Sequence, residues 1–356
     1  MMRKKRRHLR HHVSKRKLHC MMLFNLGMYP DPNFYYLTKY DGYGCLILLK
    51  DREILLVPPM EYQRARKTVK GTSVKMYKKD FWDVLRKHAR GKNIGLDYNS
   101  ITLSFMKVIR KEMRKKSFVD ISPVLREQRA VKTQDEIKTL KKACSISDKI
   151  LKRFFSSFSR FRTEKQAAQF LETEAVKEGC GLSFPPIVAS GSGAAEPHHA
   201  PKDTPIKKGF CIIDFGVKYN GYCSDTTRTV YVGKPSEKDK EIYNLLLNAQ
   251  KDVVSSVRPG MRCSEPHKMI MHKLGDYGRY FIHGLGHGVG VEIHELPNLK
   301  PKSKEVFENG MVFTVEPGVY IGSRLGIRIE DTVLLDARPK VLTRISKDLR
   351  IIKKSG

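Results

Sequence analysis

The chain has 356 residues, with 68 Lys and Arg against 37 Asp and Glu, a net charge of +31. A hydrophobic content of 40%, including 16 Phe and 15 Tyr, excludes global disorder, and no apolar run approaches the ~18 residues that cross a bilayer, which excludes an integral membrane protein. At about 150 residues per domain the length predicts two domains, and the charge attracts polyanions without naming one.

The charge is unevenly spread. Residues 1–19 hold nine Lys and Arg and no acid. The stretch is His-rich and lacks the apolar centre of a secretory signal. It reads as a basic, disordered arm over 1–20, with Met21-Met22 as an alternative translation start. A nucleic-acid partner is expected only through this arm. The seven cysteines are odd in number and form no CxxC. That argues against a disulfide framework or a zinc ribbon and predicts a reducing, cytoplasmic setting.

Residues 21–125 alternate between strand-like and helix-like pieces. Cys45–Leu49 and Glu53–Val57 are apolar runs on either side of Lys50-Asp51-Arg52, a predicted hairpin closed by Pro58-Pro59. Helices are predicted over Met60–Lys70 and Phe81–Arg90, and strands over Asn93–Asp97 and Phe118–Ile121. This is a small α/β domain without a chemical motif. Residues 126–133 read as a linker. Two capping boxes follow, Thr133-Gln-Asp-Glu136 and Thr163-Glu-Lys-Gln166, each opening a helix with an apolar face. After Pro185, short β-branched runs alternate with Gly-rich turns to about Ile352.

Three stretches of this second region carry chemistry. The first runs from Gly209 through Asp214, Asn220-Gly221 and Asp225 to Gly233. Asn-Gly between two strand-like runs predicts a hairpin. With Asn220-Gly221 as the loop, Asp214 opposes Thr227; with Tyr219-Asn220, it opposes Asp225. Either register puts both carboxylates on one face, within ~8 Å of each other. Two buried like charges are costly unless a cation holds them. The second stretch is His283-Gly-Leu-Gly-His287-Gly-Val-Gly290-Val-Glu-Ile-His294-Glu295, where small residues let the backbone crowd a site. It is neither the HExxH zinc motif nor a Rossmann turn. The third holds Glu316 at the end of one strand-like run and Glu330 inside another. A three-residue loop at 322–324 would place the two glutamates opposite each other. Together these give four strand-borne carboxylates and one Gly-flanked His, a donor set suited to a pair of hard-to-borderline divalent ions that activate water for hydrolysis.

The segments DFG, SDTTRT, HGLGHGVG, VEPG and RIED, in this order, resemble the pita-bread-fold metallopeptidases: Xaa-Pro dipeptidase (prolidase), Xaa-Pro aminopeptidase, methionine aminopeptidase and creatinase. The likeness covers about residues 130–350, and Asp31–Thr38 and Leu56–Tyr62 resemble the creatinase-type N-terminal domain. The resemblance implies an α+β chain: a creatinase-like N-terminal α/β domain over 21–125, then a pita-bread domain over 130–356 with a curved antiparallel sheet. It implies that Asp214, Asp225, His287, Glu316 and Glu330 hold two metals, most readily Mn²⁺, with Co²⁺ or Zn²⁺ as alternatives. Glu316 would also be the general base. His198, His283 and His294 would bind substrate and take part in catalysis, and Arg328 would support the ligands or bind the substrate carboxylate. Thr227 would support Asp225. The GHGVGVEIHE form resembles the proline-specific branch, acting on proline-containing di- or oligopeptides. The short two-domain chain leans toward dipeptidase, with Xaa-Pro aminopeptidase as the alternative and a homodimer as the expected assembly. A non-catalytic nucleic-acid- or ribosome-binding relative is the rival reading, disfavoured because all five expected ligands are present.

Overall fold

A computed structural model describes residues 2–27, 30–78 and 80–353, and it divides into two compact units, Met1–Gln128 and Arg129–Gly356.

The first unit contains α1 (Met2–Lys15), β1 (Cys20–Asn25), α2 (Pro32–Thr38), β2 (Gly44–Leu49), β3 (Glu53–Val57), α3 (Tyr62–Thr68), β4 (Ser73–Met76), α4 (Phe81–His88), β5 (Asn93–Leu96), α5 (Leu103–Glu112), β6 (Ser117–Asp120) and α6 (Ser122–Ala130), whose last turn passes into the second unit. The strands form one sheet in the order β4-β3-β2-β1-β5-β6. β2 runs against β1 and β3, and the other pairings are parallel. The central strands β1, β2 and β3 are near-continuous apolar runs because both faces are covered. The predicted β2–β3 hairpin closes through residues 50–52, with Leu48 opposite Glu53.

The basic arm is not disordered. Residues 2–15 form α1, and Leu9, Val13 and Leu18 are buried at 0–2% exposure. Each such side chain contributes about 1.5–3 kcal/mol before the cost of ordering the chain. Arg6 on the same helix face is also buried. It pairs with Glu53 at 2.8 Å and donates to the carbonyls of Leu37 and Lys70. The spacing of residues 6, 9 and 13 gives one helical face, and the surrounding charges hid it.

The second unit opens with α7 (Gln134–Ser157) and α8 (Glu164–Lys177). The reciprocal box at Thr133 and Glu136 is complete. At α8 only half forms: Thr163 accepts from Gln166 N–H, while Gln166 Oε1 accepts from Arg162. The strands are β7 (Gly181–Leu182), β8 (Ile187–Ser190), β9 (Gly209–Phe215), β10 (Val217–Tyr219), β11 (Tyr222–Cys223) and β12 (Thr226–Val232). After α9 (Glu237–Ser256) and α10 (Glu265–Leu274) come β13 (Gly286–Gly288), β14 (Glu295–Leu299), β15 (Val312–Val315), β16 (Gly318–Ile321), β17 (Leu325–Arg328), β18 (Asp331–Leu335), β19 (Pro339–Val341) and β20 (Arg350–Ile352). The sheets run β20-β12-β9-β8, β14-β13-β15-β18-β19, β11-β10-β7 and β16-β17. Their pairings are antiparallel except β12 with β20, a departure from the all-antiparallel expectation. α9 and α10 interrupt the strands and turns expected after Pro185; α9 starts at a capping box, Ser236 with Asp239.

The boundary between the units, Gln128 to Arg129, falls inside 126–133, the stretch read as a linker. α6 continues to Ala130, and Arg129 and Lys132 are buried because both pair with Glu295, Lys132 at 3.0 Å.

Candidate metal centre

The site is built on two hairpins. Asn220 and Gly221 both have positive φ, 46° and 74°, as the tight turn requires. This selects the first register: Tyr219 pairs with Tyr222, and Asp214 with Thr227. The ribbon kinks at Gly216, where a Cβ would lie 1.9 Å from the Ser224 carbonyl oxygen. Asp225 follows that kink. On the second hairpin Ile321 pairs with Leu325 across residues 322–324, and Gly318 with Arg328. The β15–β18 pairing keeps the same register, with Val315 opposite Asp331, so Glu316 and Glu330 lie across from one another. The His-Gly segment supplies β13. Gly286 and Gly288 would place a Cβ 2.0 Å from the carbonyl oxygens of Thr314 and Leu296, so only glycine lets β13 come this close to its neighbours.

These elements line a pocket of about 730 Å³ with all nine candidate residues: Asp214, Asp225, His198, His283, His287, His294, Glu316, Arg328 and Glu330. Phe184, Pro185, Pro186, Ile187 and Ile293 form an apolar wall. Ligand atoms of Asp225, His287 and Glu330 all lie within 4.8 Å of one another. His287 Nε2 is 3.3 Å from Glu316 Oε1 and 3.6 Å from Asp225 Oδ2.

The electrostatics are those of carboxylates crowded together in a buried site. Burial pushes the carboxyls of Asp225 and Glu330 well above the usual range, and neighbouring carboxylates push them further: Glu330 and Asp214 on Asp225, Glu316 and Asp214 on Glu330. Asp214 is raised by burial against the opposing pull of Arg328. Burial also acts to raise Glu316, but the His287 ring beside it outweighs this and holds it below its usual value. His287 is raised in turn: burial lowers it, and Glu316 more than compensates. Asp214 Oδ1 and Glu330 Oε1 are buried carboxylate oxygens without a hydrogen-bond partner. Four carboxylates and one imidazole, with two unsatisfied oxygens, fit hard-to-borderline divalent cations.

Thr227 does not support Asp225 as expected. Its hydroxyl donates to Glu330 Oε2 at 2.7 Å and accepts from Arg328 Nε at 3.2 Å. Arg328 is 3% exposed, and its guanidinium donates to Asp214 at 2.7 Å, the Tyr320 hydroxyl at 3.0 Å and the Pro197 carbonyl at 3.2 Å. It therefore orients Asp214 rather than standing open to a substrate carboxylate. His283 Nε2 faces the Tyr320 hydroxyl at 2.9 Å. Burial holds His283 and His294 below the usual imidazole range, with a further push from His287 on His294.

Three contributions escaped the sequence reading. Tyr320 bridges His283 and Arg328, yet sits in an apolar run where one more aromatic carries no signal. Lys300 lines the pocket beside His294 as one of 68 Lys and Arg. His199, next to His198, is 4% exposed and clamped at 2.9 Å on each ring nitrogen by Glu164 and Glu196. Glu164 also accepts from Ser190 and Lys202, and so fixes the loop that carries His198.

Comparison with known proteins agrees with this arrangement. Residues 138–337 match the model of metallopeptidase family M24, and residues 5–131 match the creatinase/prolidase N-terminal domain. That second match takes in α1 from residue 5 onward. The chain is 37% identical to an Xaa-Pro dipeptidase of Pyrococcus furiosus over 89% of its length and 92% of the relative. Among solved structures, an Xaa-Pro dipeptidase from Bacillus anthracis aligns with a TM-score of 0.92 at 32% identity, covering 99% of this chain and 100% of the other. An X-Pro aminopeptidase from Thermotoga maritima aligns at 0.89 and 29%, covering 95% and 99%. The chain belongs to metallopeptidase family M24, in the branch that joins a creatinase/prolidase N-terminal domain to the pita-bread peptidase domain.

Proposed function

We propose that the protein is a dinuclear metallopeptidase that hydrolyses the bond before proline, acting as an Xaa-Pro dipeptidase. The observation that carries this is the pocket itself, where Asp225, His287 and Glu330 converge within 4.8 Å and two buried carboxylate oxygens lack partners. Its likeness to the two Xaa-Pro dipeptidases supports the substrate class. Asp214, Asp225, His287, Glu316 and Glu330 would hold two divalent ions, and the carboxylate-rich set favours Mn²⁺. Such a pair supplies Lewis acidity and lowers the pKa of the attacking water.

The chain's own groups do the rest. Glu316 is kept ionised by His287 and accepts the proton of the attacking water. A proline nitrogen leaves without an N–H of its own and needs a proton. His294, held below the usual imidazole range, is a hydrogen-bond partner rather than a proton store. His198, on the exposed loop fixed by His199 and Glu164, is the donor. His283 is oriented by Tyr320 toward the developing oxyanion. The apolar wall takes the proline ring. With Arg328 engaged by Asp214, Lys300 is the pocket cation for the dipeptide carboxylate.

The seven cysteines are buried and none forms a disulfide, which supports a reducing, cytoplasmic setting. No helix among the described residues is long and apolar enough to cross a membrane. A homodimer completes this reading, tested by the mass in solution. The deciding assay compares Xaa-Pro with Xaa-Pro-Xaa-Xaa peptides on purified protein. Preference for the dipeptide is expected; efficient cleavage of the longer peptide alone would make it an aminopeptidase.

A further inference from the structure

Charge in the N-terminal unit is sorted by the direction of its strands. β1, β3, β4, β5 and β6 all start at one edge of the sheet, and β2 ends there. The segments meeting at that edge are 15–19, 50–52, 69–72, 89–92 and 113–116. They hold eleven Lys and Arg and a single acid, Asp51. The segments of the opposite edge hold Asp31, Asp41, Glu61, Asp80 and Asp97 beside Lys39, Lys78 and Lys79. Residues 1–128 as a whole contain 30 Lys and Arg against 11 acids.

At the basic edge the loops enclose a groove of about 510 Å³ lined by Lys17, His19, Lys50, Arg52 and Lys92, with Asp51 paired to Arg52 at 2.9 Å. Lys17, Lys50, Arg52 and Lys92 are solvent-exposed. Lys116 Nζ bonds the carbonyls of Arg90 and Gly91 at 2.6 and 2.8 Å, tying the loop before β5 to the one before β6.

We infer that this edge is a binding surface for the phosphate backbone of nucleic acid, read without regard to sequence. At about 4.8 Å between strands, six strands spread the cations over roughly 24 Å. Each strand of a helical nucleic acid presents a charge about every 3.4 Å, so a row of cations this long matches a polymer better than a single small anion. A membrane surface is the poorer fit. Among the described residues of this unit the large exposed apolar side chains are Leu26, Tyr43, Met60 and Tyr98, at or near the acidic edge, and Leu103 and Val108 on α5, so none of them gives the basic edge a group to insert among lipids. The groove has no aromatic side chain other than His19 to stack on a base, so phosphate contact sets affinity and sequence does not.

The test is fluorescence anisotropy of a labelled RNA of about 20 nucleotides with the full-length protein across a salt series. Binding should weaken with salt, with log K falling by about 0.7 for each phosphate contact per decade of salt. Lys50→Glu/Arg52→Glu/Lys92→Glu should lower affinity at least ~10-fold and flatten the salt slope by about 2. A control reversal of equal charge in the second unit, Lys142→Glu/Lys251→Glu/Lys304→Glu, should cost less than ~3-fold. Neither triple should alter peptide hydrolysis. If the first triple melts early, the matching Gln triple is read instead and should still weaken binding. No binding at about 0.1 M salt, equal loss in both triples, or binding to phosphatidylserine vesicles but not RNA would each overturn the assignment.

Discussion

Replacing Lys300 by Gln would separate the cation proposed to read a dipeptide's carboxylate from the groups proposed to carry out hydrolysis. Lys300 is the exposed cation of the pocket, near His294, and its stem packs over Gly284. Arg328 cannot substitute, since it is buried and committed to Asp214, Tyr320 and Pro197. A hydrogen bond to a charged group contributes about 1.5–3 kcal/mol, and solvent screening at an exposed lysine trims this to roughly 1–2 kcal/mol. That corresponds to about a 5- to 30-fold loss in kcat/KM. The loss should fall on KM, because the contact holds the ground state and the transition state alike. Steady-state kinetics on Ala-Pro and Ala-Pro-Ala-Ala check it. The tetrapeptide, whose carboxylate lies elsewhere, should change by less than ~3-fold. Equal losses on both substrates, or none on the dipeptide, would refute the assignment of Lys300.

Arg328→Gln should act on the other parameter: kcat falls by about 100-fold or more, with dipeptide KM within ~3-fold, because Asp214 loses its orienting partner; a pure KM effect would return Arg328 to the substrate carboxylate. Glu295→Gln should destabilise the second unit by about 3–5 kcal/mol in urea melts, since it strips the shared partner from buried Lys132 and Arg129. Burial alone would raise the Glu295 carboxyl, but Lys132 and Arg129 hold it below its usual value. Its contribution is therefore complete above the unfolded value of about 4.3 and is lost as pH falls through the lower folded one. The gap between wild type and variant should close in acid, and a gap independent of pH would contradict the pairing. Asp225→Asn and Glu330→Gln should each lower bound metal by at least one equivalent in elemental analysis, because a neutral amide is a poor anionic ligand.

Local rules made parts of the site readable. Asn220-Gly221 identified the first hairpin, although two registers stayed open until backbone geometry chose the one pairing Asp214 with Thr227. A three-residue loop was enough to set Glu316 across from Glu330. What escaped depends on long-range packing. Arg328 reads equally well as a ligand support or a substrate cation until Asp214 is seen 2.7 Å away. Sequence proximity pairs Thr227 with Asp225, but its hydroxyl reaches Glu330, 103 positions away. α1 was missed because hydrophobic burial at positions 9, 13 and 18 outweighs a charge density that alone predicts a solvated tail. Lys300 and His199 have no sequence signal of their own; each matters through what the fold places beside it.

Asp214, Asp225, His287, Glu316 and Glu330 are proposed to hold the metal that hydrolyses the bond before proline. Hydrolysis of an Xaa-Pro dipeptide, measured together with metal content before chelation, after it and after Mn²⁺ is returned, tests this most directly. Activity should vanish with the metal and recover as about two equivalents rebind. Undiminished hydrolysis by protein shown to be metal-free would contradict it.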